Sequence, residues 1–383
     1  EGMPEFAFAG MLGGKRMRYF KEDGYTVCAD ADFVITGEVQ PHDVKPEGPF
    51  GDHLGYYSLK HDFPVMKVHK VYHKKEAIWP FTVVGRPPQE DTSFGAMIHE
   101  LAGDTIKMEL PGVKAVHAVD AAGVHPLLFA IGSERYTPYV KERQPAEILT
   151  QANHILGFGQ MSLAKFLFIA AEEDDKNLNV DDEQAFVQHI LERVNWERDL
   201  HFYTKTSIDT LDYSGEGLNT GSKVVIAAAG GSCRTLAQTF ETTNPFPQGI
   251  SNAKLVAPGI LAISCSAFES YEKAQTEMVD WANSLKEYLG EKVKSLPLIL
   301  MCDDADFVAE TYNNFLWTTF TRANPSHDIY GIDSFTQHKH WGCKGSLMID
   351  TRIKPHHAPP LLLDEEVEKR VDAIFRDHPD LAF

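Results

Sequence analysis

No stretch of this sequence approaches the ~20 consecutive apolar residues that a membrane-spanning helix needs, and no basic region followed by an apolar segment stands at its start. No integral membrane segment and a cytoplasmic location are therefore expected. Cysteine is sparse: Cys28, Cys233, Cys265, Cys302 and Cys343 are five, scattered, and never in a CxxC pair. That pattern argues against a disulfide framework or a zinc ribbon and fits a reducing compartment. Positive charge is also short, with 36 Lys plus Arg against 55 Asp plus Glu and a net charge of −19. Binding of nucleic acid or an anionic membrane through bulk charge is thereby excluded, and an anionic ligand must be held by local groups. What is present is ample apolar content, 43% of 383 residues, enough for a sizeable core and two or three domains.

The chain opens on EGMPEFAFAG, with no Met at position 1 and residues of domain-interior character, so an upstream portion is expected to precede it. From Tyr25 to about Val84, TVCADADFVITGEV, FPVMKVHKVYH and AIWPFTVVG read as strands, separated by Pro, Gly and Asp turns. A helix follows in IHELAGDTIKMEL (98–110). Beyond it, apolar strand-like runs alternate with helical stretches: VHPLLFAI then KFLFIAAEEDD, and PGILAISC then PLILMCDDAD. Residues 113–232 and 250–352 thus read as two copies of one α/β unit, each closing on a Gly turn with a lysine, Lys223 and Lys344. The tail 365–378 places Val367, Val371, Ala373 and Ile374 on one helical face, the pattern of a docking helix.

The motif PEGPFGDHLGYY (46–57) sets Glu47 and Asp52 on either side of a turn stiffened by Gly48, Pro49 and Gly51. Two acids in a turn are commonly solvated surface groups. Held in an apolar pocket, a carboxyl rises in pKa toward the range of a proton donor at neutral pH. A glycosidase acid pair is the other chemistry such spacing suggests, but no sugar-binding aromatic cluster surrounds Glu47.

The run DFVITGEVQPHDVKPEGPFGDHLGYYS, followed by VYHKKEAIWPFTVVGRPPQED, resembles the UbiD family of decarboxylases, typified by 3-polyprenyl-4-hydroxybenzoate carboxy-lyase. EFAFAG at the start and CDDADF, FTRANPSHD and GCKGSLMID downstream extend the likeness over most of the chain. It implies a partial split β-barrel of the flavin-reductase kind over 1–112, then a tandem pair of α/β units over 113–249 and 250–383. It implies a reversible non-oxidative decarboxylase of an aromatic or polyprenyl-hydroxyaromatic acid, working with prenylated FMN, Mn²⁺ and K⁺. A flavin prenyltransferase would supply the cofactor, ubiquinone biosynthesis would be one setting, and a homo-oligomer would be the assembly. In the family's acid–arginine–acid triad, Asp52 matches the proton donor and Glu47 its partner. Glu5 matches the metal-binding glutamate. Arg322 matches an arginine near the monovalent cation, Arg193 being its counterpart in the first copy. Arg86 in GRPP matches a residue near flavin and substrate, and Lys223 and Lys344 are further candidate cofactor contacts. The family's triad arginine and the asparagine and histidine of its metal site lie upstream of the position matching Glu5. A noncatalytic flavin-binding or assembly subunit is accordingly the rival reading.

Two further patterns carry less. His338, His340 and Cys343 in QHKHWGC, and His356 with His357, have ligand chemistry but no paired spacing, and the chain has 17 histidines to generate such coincidences. AAAGGSCR (227–234) resembles a phosphate-cradling turn after a strand but lacks both GxGxxG and GK[ST], which leaves a plain strand-to-helix turn as the simpler reading.

Overall fold

A computed structural model describes residues 4–242 and 245–378. The chain divides into two compact units, residues 1–50 with 58–83, and residues 51–57 with 84–383.

The first unit contains helix α1 (Glu5–Leu12), the hairpin β1 (Tyr19–Glu22) and β2 (Tyr25–Cys28), and two long strands, β3 (Phe33–Glu47) and β4 (His61–His73). β3 and β4 pair antiparallel from Phe33 opposite His73 to Glu47 opposite His61, with a register shift between Val39 and Val44. Among the described residues no sheet closes: β1 with β2 and β3 with β4 are two-stranded ladders. This differs from the expected split barrel. Closure requires pairing on both edges of every strand, and Ile35, Val39, Val68 and Val71 of the long ladder remain exposed. Residues 77–83, expected as a strand, have no regular structure. Pro80 removes a backbone donor there.

The second unit begins with α2 (Glu90–Glu109), longer at its start than the 98–110 expected, and then builds two five-stranded sheets. The first comprises β5 (Val113–Ala118), β6 (Leu127–Gly132), α3 (Glu147–Leu156), β7 (Phe166–Ala171), α4 (Glu183–Arg193), β8 (Leu200–Ser207) and β9 (Thr220–Ala228). The second comprises β10 (Ile250–Ala257), β11 (Ile260–Cys265), α5 (Tyr271–Leu289), β12 (Leu298–Cys302), α6 (Ala305–Glu310), α7 (Tyr312–Arg322), α8 (Pro325–Asp328) and β13 (Ile329–Gly331). The hairpin β14 (Ser334–Gln337) and β15 (His340–Cys343) then leads into β16 (Leu347–Asp350).

Strand order is β5-β6-β7-β9-β8 in one sheet and β10-β11-β12-β16-β13 in the other. Each runs antiparallel, parallel, parallel, antiparallel across its neighbours. Of the parallel-paired strands, β6, β7 and β12 are the continuous apolar runs LLFAIG, FLFIAA and LILMC, buried along their length because helices cover such strands on both faces. Phe320 of α7 packs edge-on against Phe166 and Phe168 of β7, so a helix of the second sheet's segment completes the core of the first.

The acids that follow β12 are structural at their tips: Asp304 accepts from the amides of Asp306 and Phe307 and caps α6. Thr311 then caps α7 through the amide of Asn314, so α6 and α7 are separate helices. The C-terminal helix α9 (Glu365–Asp377) forms behind an Asp364 cap, yet none of its residues is buried, so the expected docking contact is not seen.

Candidate active site

The loop 51–57 is closed by a bridge between Gly51 and Tyr57 and by the Asp52 amide donating to the Tyr56 carbonyl at 2.9 Å. Gly55 has φ +87, and a Cβ there would stand 3.0 Å from Arg86 Cα and from Trp317 Nε1, so both backbone angle and space require glycine. The turn points the Asp52 side chain inward, 2% exposed. Its Oδ1 accepts from the amides of Leu54 at 2.9 Å and Tyr56 at 3.2 Å. Its Oδ2 is buried and has no hydrogen-bond partner among the described residues. Burial pushes the carboxyl up to about 7, the two amide bonds oppose that rise, and the charges of Asp209 and Asp212 add to it.

α7 anchors this loop. Trp317 Nε1 donates to the Leu54 carbonyl at 2.7 Å, and its ring stacks on Tyr56 at 5.1 Å and 19°. The Tyr56 hydroxyl meets Thr321 Oγ1 at 2.7 Å and accepts from Arg322 Nε at 3.4 Å. Arg322 lies over Trp317 at 5.1 Å and reaches Asp303 at 3.4 Å, while Arg86 lies over Trp317 at 5.1 Å and Phe307 at 5.4 Å. The guanidiniums thus sit against aromatic faces, where attraction to the ring quadrupole holds them.

The first sheet's segment supplies an acidic side. His53, His125 and Asp209 bring ligand-type atoms within 4.8 Å of one another. His125 Nδ1 and Asp209 Oδ2 are 2.5 Å apart. That contact is a His–Asp hydrogen bond. His53 Nε2 is buried without a partner, and burial lowers that imidazole's pKa. Behind Asp209, fully buried Lys165 donates to Ser214 Oγ at 2.6 Å and pairs with Asp212 at 2.8 Å, its own pKa lowered by burial.

A family model described as the 3-octaprenyl-4-hydroxybenzoate carboxy-lyase Rift-related domain matches residues 1–87, and the model of that enzyme's C-terminal domain matches 92–228. The chain belongs to the UbiD family. Whole-chain similarity agrees: a protein of Chlamydia trachomatis serovar D is 34% identical over 377 residues, 97% of this chain and 60% of its own length. A Chlamydia pneumoniae protein, named as one subunit of a 4-hydroxybenzoate decarboxylase, is 34% identical over 374 residues, covering 97% of this chain and 59% of that protein. The chain therefore spans about 60% of the relatives it matches. In fold it is similar to the closed form of Sedimentibacter hydroxybenzoicus vanillic acid decarboxylase, with a TM-score of 0.50 and 20% identity over 64% of this chain and 50% of that one. No helix among the described residues is long and apolar enough to cross a membrane.

The UbiD-type residues are distributed unevenly. Arg86 and Arg322 lie over Trp317, whose indole also holds the Leu54 carbonyl of the loop that carries Asp52. Glu47 ends β3 in the first unit and is exposed, as is Glu5 on α1. Among the described residues, no cluster of metal-ligating side chains includes Glu5, so these residues by themselves do not make a manganese site. Lys223 is buried on β9, where its ammonium donates to the Ser162 carbonyl. Arg193 closes α4 on the His189 carbonyl and Glu192. Lys344 is exposed after β15. None of these last three joins the Asp52 group. His340 Nε2 meets the Glu197 carbonyl at 3.0 Å, His356 and His357 stack edge-on at 4.8 Å, and no metal cluster includes them among the described residues. His53 and Tyr56 lay inside the quoted motif but carried no acid pattern. His125, Asp209, Asp212 and Trp317 are far from it in sequence and had no local signal.

Proposed function

We propose that this chain carries the proton-donating part of a UbiD-type site that decarboxylates an aromatic or polyprenyl-hydroxyaromatic acid without net oxidation, reversibly, with prenylated FMN as cofactor. The observation that carries the reading is the Asp52 carboxyl, with one oxygen fixed by two amides and the other buried and unpartnered. A carboxyl at about 7 is half protonated near neutrality, the condition for giving a proton and regaining it. The bound flavin would supply an electron sink for the bond to the departing carboxylate. Asp52 would deliver the proton that replaces carbon dioxide, and the Gly55 turn keeps it from rotating out of place. Arg322 and Arg86, both against the Trp317 ring, would attract the substrate carboxylate. Glu47 would tune charge at the site, and Glu5 would offer one carboxylate oxygen to a divalent ion, which would need further ligands.

The test is carbon dioxide release from 4-hydroxybenzoate by protein co-expressed with a flavin prenyltransferase. Asp52→Asn is expected to lower kcat by about 10²–10⁴, the range for loss of a positioned acid, with an unchanged circular dichroism spectrum. Retention of full turnover by Asp52→Asn would rule out this role.

A further inference from the structure

Away from the Asp52 group, a cavity of about 550 Å³ opens beside the turn that follows β9. Arg143, Arg193, Arg198, Arg234 and Lys344 line it. Three of these guanidiniums already have carboxylates: Arg143 pairs with Asp174, Arg193 with Glu192 at 3.2 Å, and Arg198 with Asp199 at 2.5 Å. Two cations have none. Among the described residues, Arg234 donates to the Leu191 carbonyl, at 2.5 Å, and to no carboxylate, and burial pushes its pKa down. No side chain among the described residues pairs with Lys344. The lining carboxylates, Glu142 and Glu197, are both solvent-exposed.

Donor capacity is in surplus as well. Arg143 Nε and Arg193 Nε are buried with no acceptor, an arrangement that costs free energy unless something else accepts. The turn itself is Gly230-Gly231-Ser232. Gly230 has φ +106, and a Cβ there would meet the Arg143 carbonyl at 2.6 Å, so the close approach of the two segments depends on glycine. A Cβ on Gly231 would meet nothing within 4 Å, so that backbone faces open space. No helix follows the turn, which excludes the helix-dipole form of phosphate site suggested by AAAGGSCR. The donors here are side chains.

We propose that this cavity binds a phosphate monoester. A phosphate group meets this site through its donors and not through net charge, because Glu142 and Glu197 in the lining offset the charges of Arg234 and Lys344. Its oxygens supply the acceptors that the arginine cluster lacks, and Arg forks suit that geometry. The cavity is larger than a phosphate group alone, which leaves room for the organic body. None of its lining residues belongs to the Asp52 group, so this site stands or falls independently of the decarboxylase reading.

The experiment is calorimetric titration of the purified chain with AMP, with inorganic phosphate and with adenosine. Binding of AMP, competition by phosphate, and adenosine weaker by at least about tenfold are expected. Phosphate binding as tightly as AMP would identify the free ion as the occupant and overturn the monoester. Lys344→Gln, at an exposed position, is expected to weaken AMP by about tenfold without moving the melting temperature, and Arg234→Gln with Lys344→Gln to abolish it. Asp52→Asn should bind AMP as the wild type does. No AMP binding, or equal affinity for AMP and adenosine, or AMP affinity unchanged in Lys344→Gln, would overturn the proposal.

Discussion

The two five-stranded sheets of the second unit share strand order and polarity, yet they bring opposite chemistry to the loop 51–57. The segment of the second sheet contributes α7, with the Trp317 ring, the Thr321 hydroxyl and the Arg322 cation. The segment of the first contributes His125 with Asp209 and Asp212, and the charges of the two aspartates oppose ionisation of Asp52. A scaffold built twice can therefore place an anchoring face and a pKa-raising face on one short turn. The buried charges echo the pattern with a difference of position. Lys165 enters β7 and pairs with Asp212, whereas Lys354 follows β16, pairs with Asp328 at 3.3 Å, and donates to the carbonyls of Arg322, Asp350 and Arg352.

If each sheet depends on its buried lysine, Lys165→Met and Lys354→Met should each cost about 3–5 kcal/mol in urea unfolding, because each leaves a buried carboxylate unpaired. A large loss from one and almost none from the other would break the parallel between the sheets.

Asp52→Asn should sharpen the contrast in the opposite direction, by stabilising. The folded-state carboxyl lies near 7, above its unfolded value, so the folded protein binds a proton that the unfolded chain releases. The stability this gives is complete below the unfolded pKa and is lost as pH rises through about 7. Asparagine removes that loss. At pH 8 the variant should exceed the wild type by about 2–4 kcal/mol, with the two converging near pH 4. A variant that gains stability while losing turnover is the expected signature of a strained catalytic acid.

Tyr56→Phe removes the hydroxyl that α7 grips and should cost about 1 kcal/mol by the same unfolding assay, in line with one buried hydrogen-bonded group. Glu47→Gln, at an exposed strand end, should change stability by less than about 0.5 kcal/mol. A pH-dependent shift as large as that of Asp52→Asn would show that the two motif acids share one environment.

Legibility in the sequence followed locality. β6, β7, β11 and β12 were readable because strands covered on both faces are continuous apolar runs. Residues 77–83 read as a strand from their apolar and β-branched residues, but that preference yields to context, and Pro80 cannot donate to a ladder. Asp52 was readable because its constraints, two glycines and two backbone amides, lie within six residues of it. Of the two motif acids, Asp52 is buried and Glu47 is exposed, a difference the motif did not announce. The partners of the loop could not be read at all. Tyr56 meets Thr321 across 265 positions of sequence, a pairing that only the folded sheets create.

The central claim is that Asp52 is a protonated acid near neutral pH. The most direct test is an infrared titration of the carboxyl C=O stretch, with the Asp52→Asn difference spectrum assigning the band. A protonated Asp52 band that disappears with a midpoint at about 7 is the predicted result. A midpoint near 4, the ordinary value of an aspartate, would contradict it.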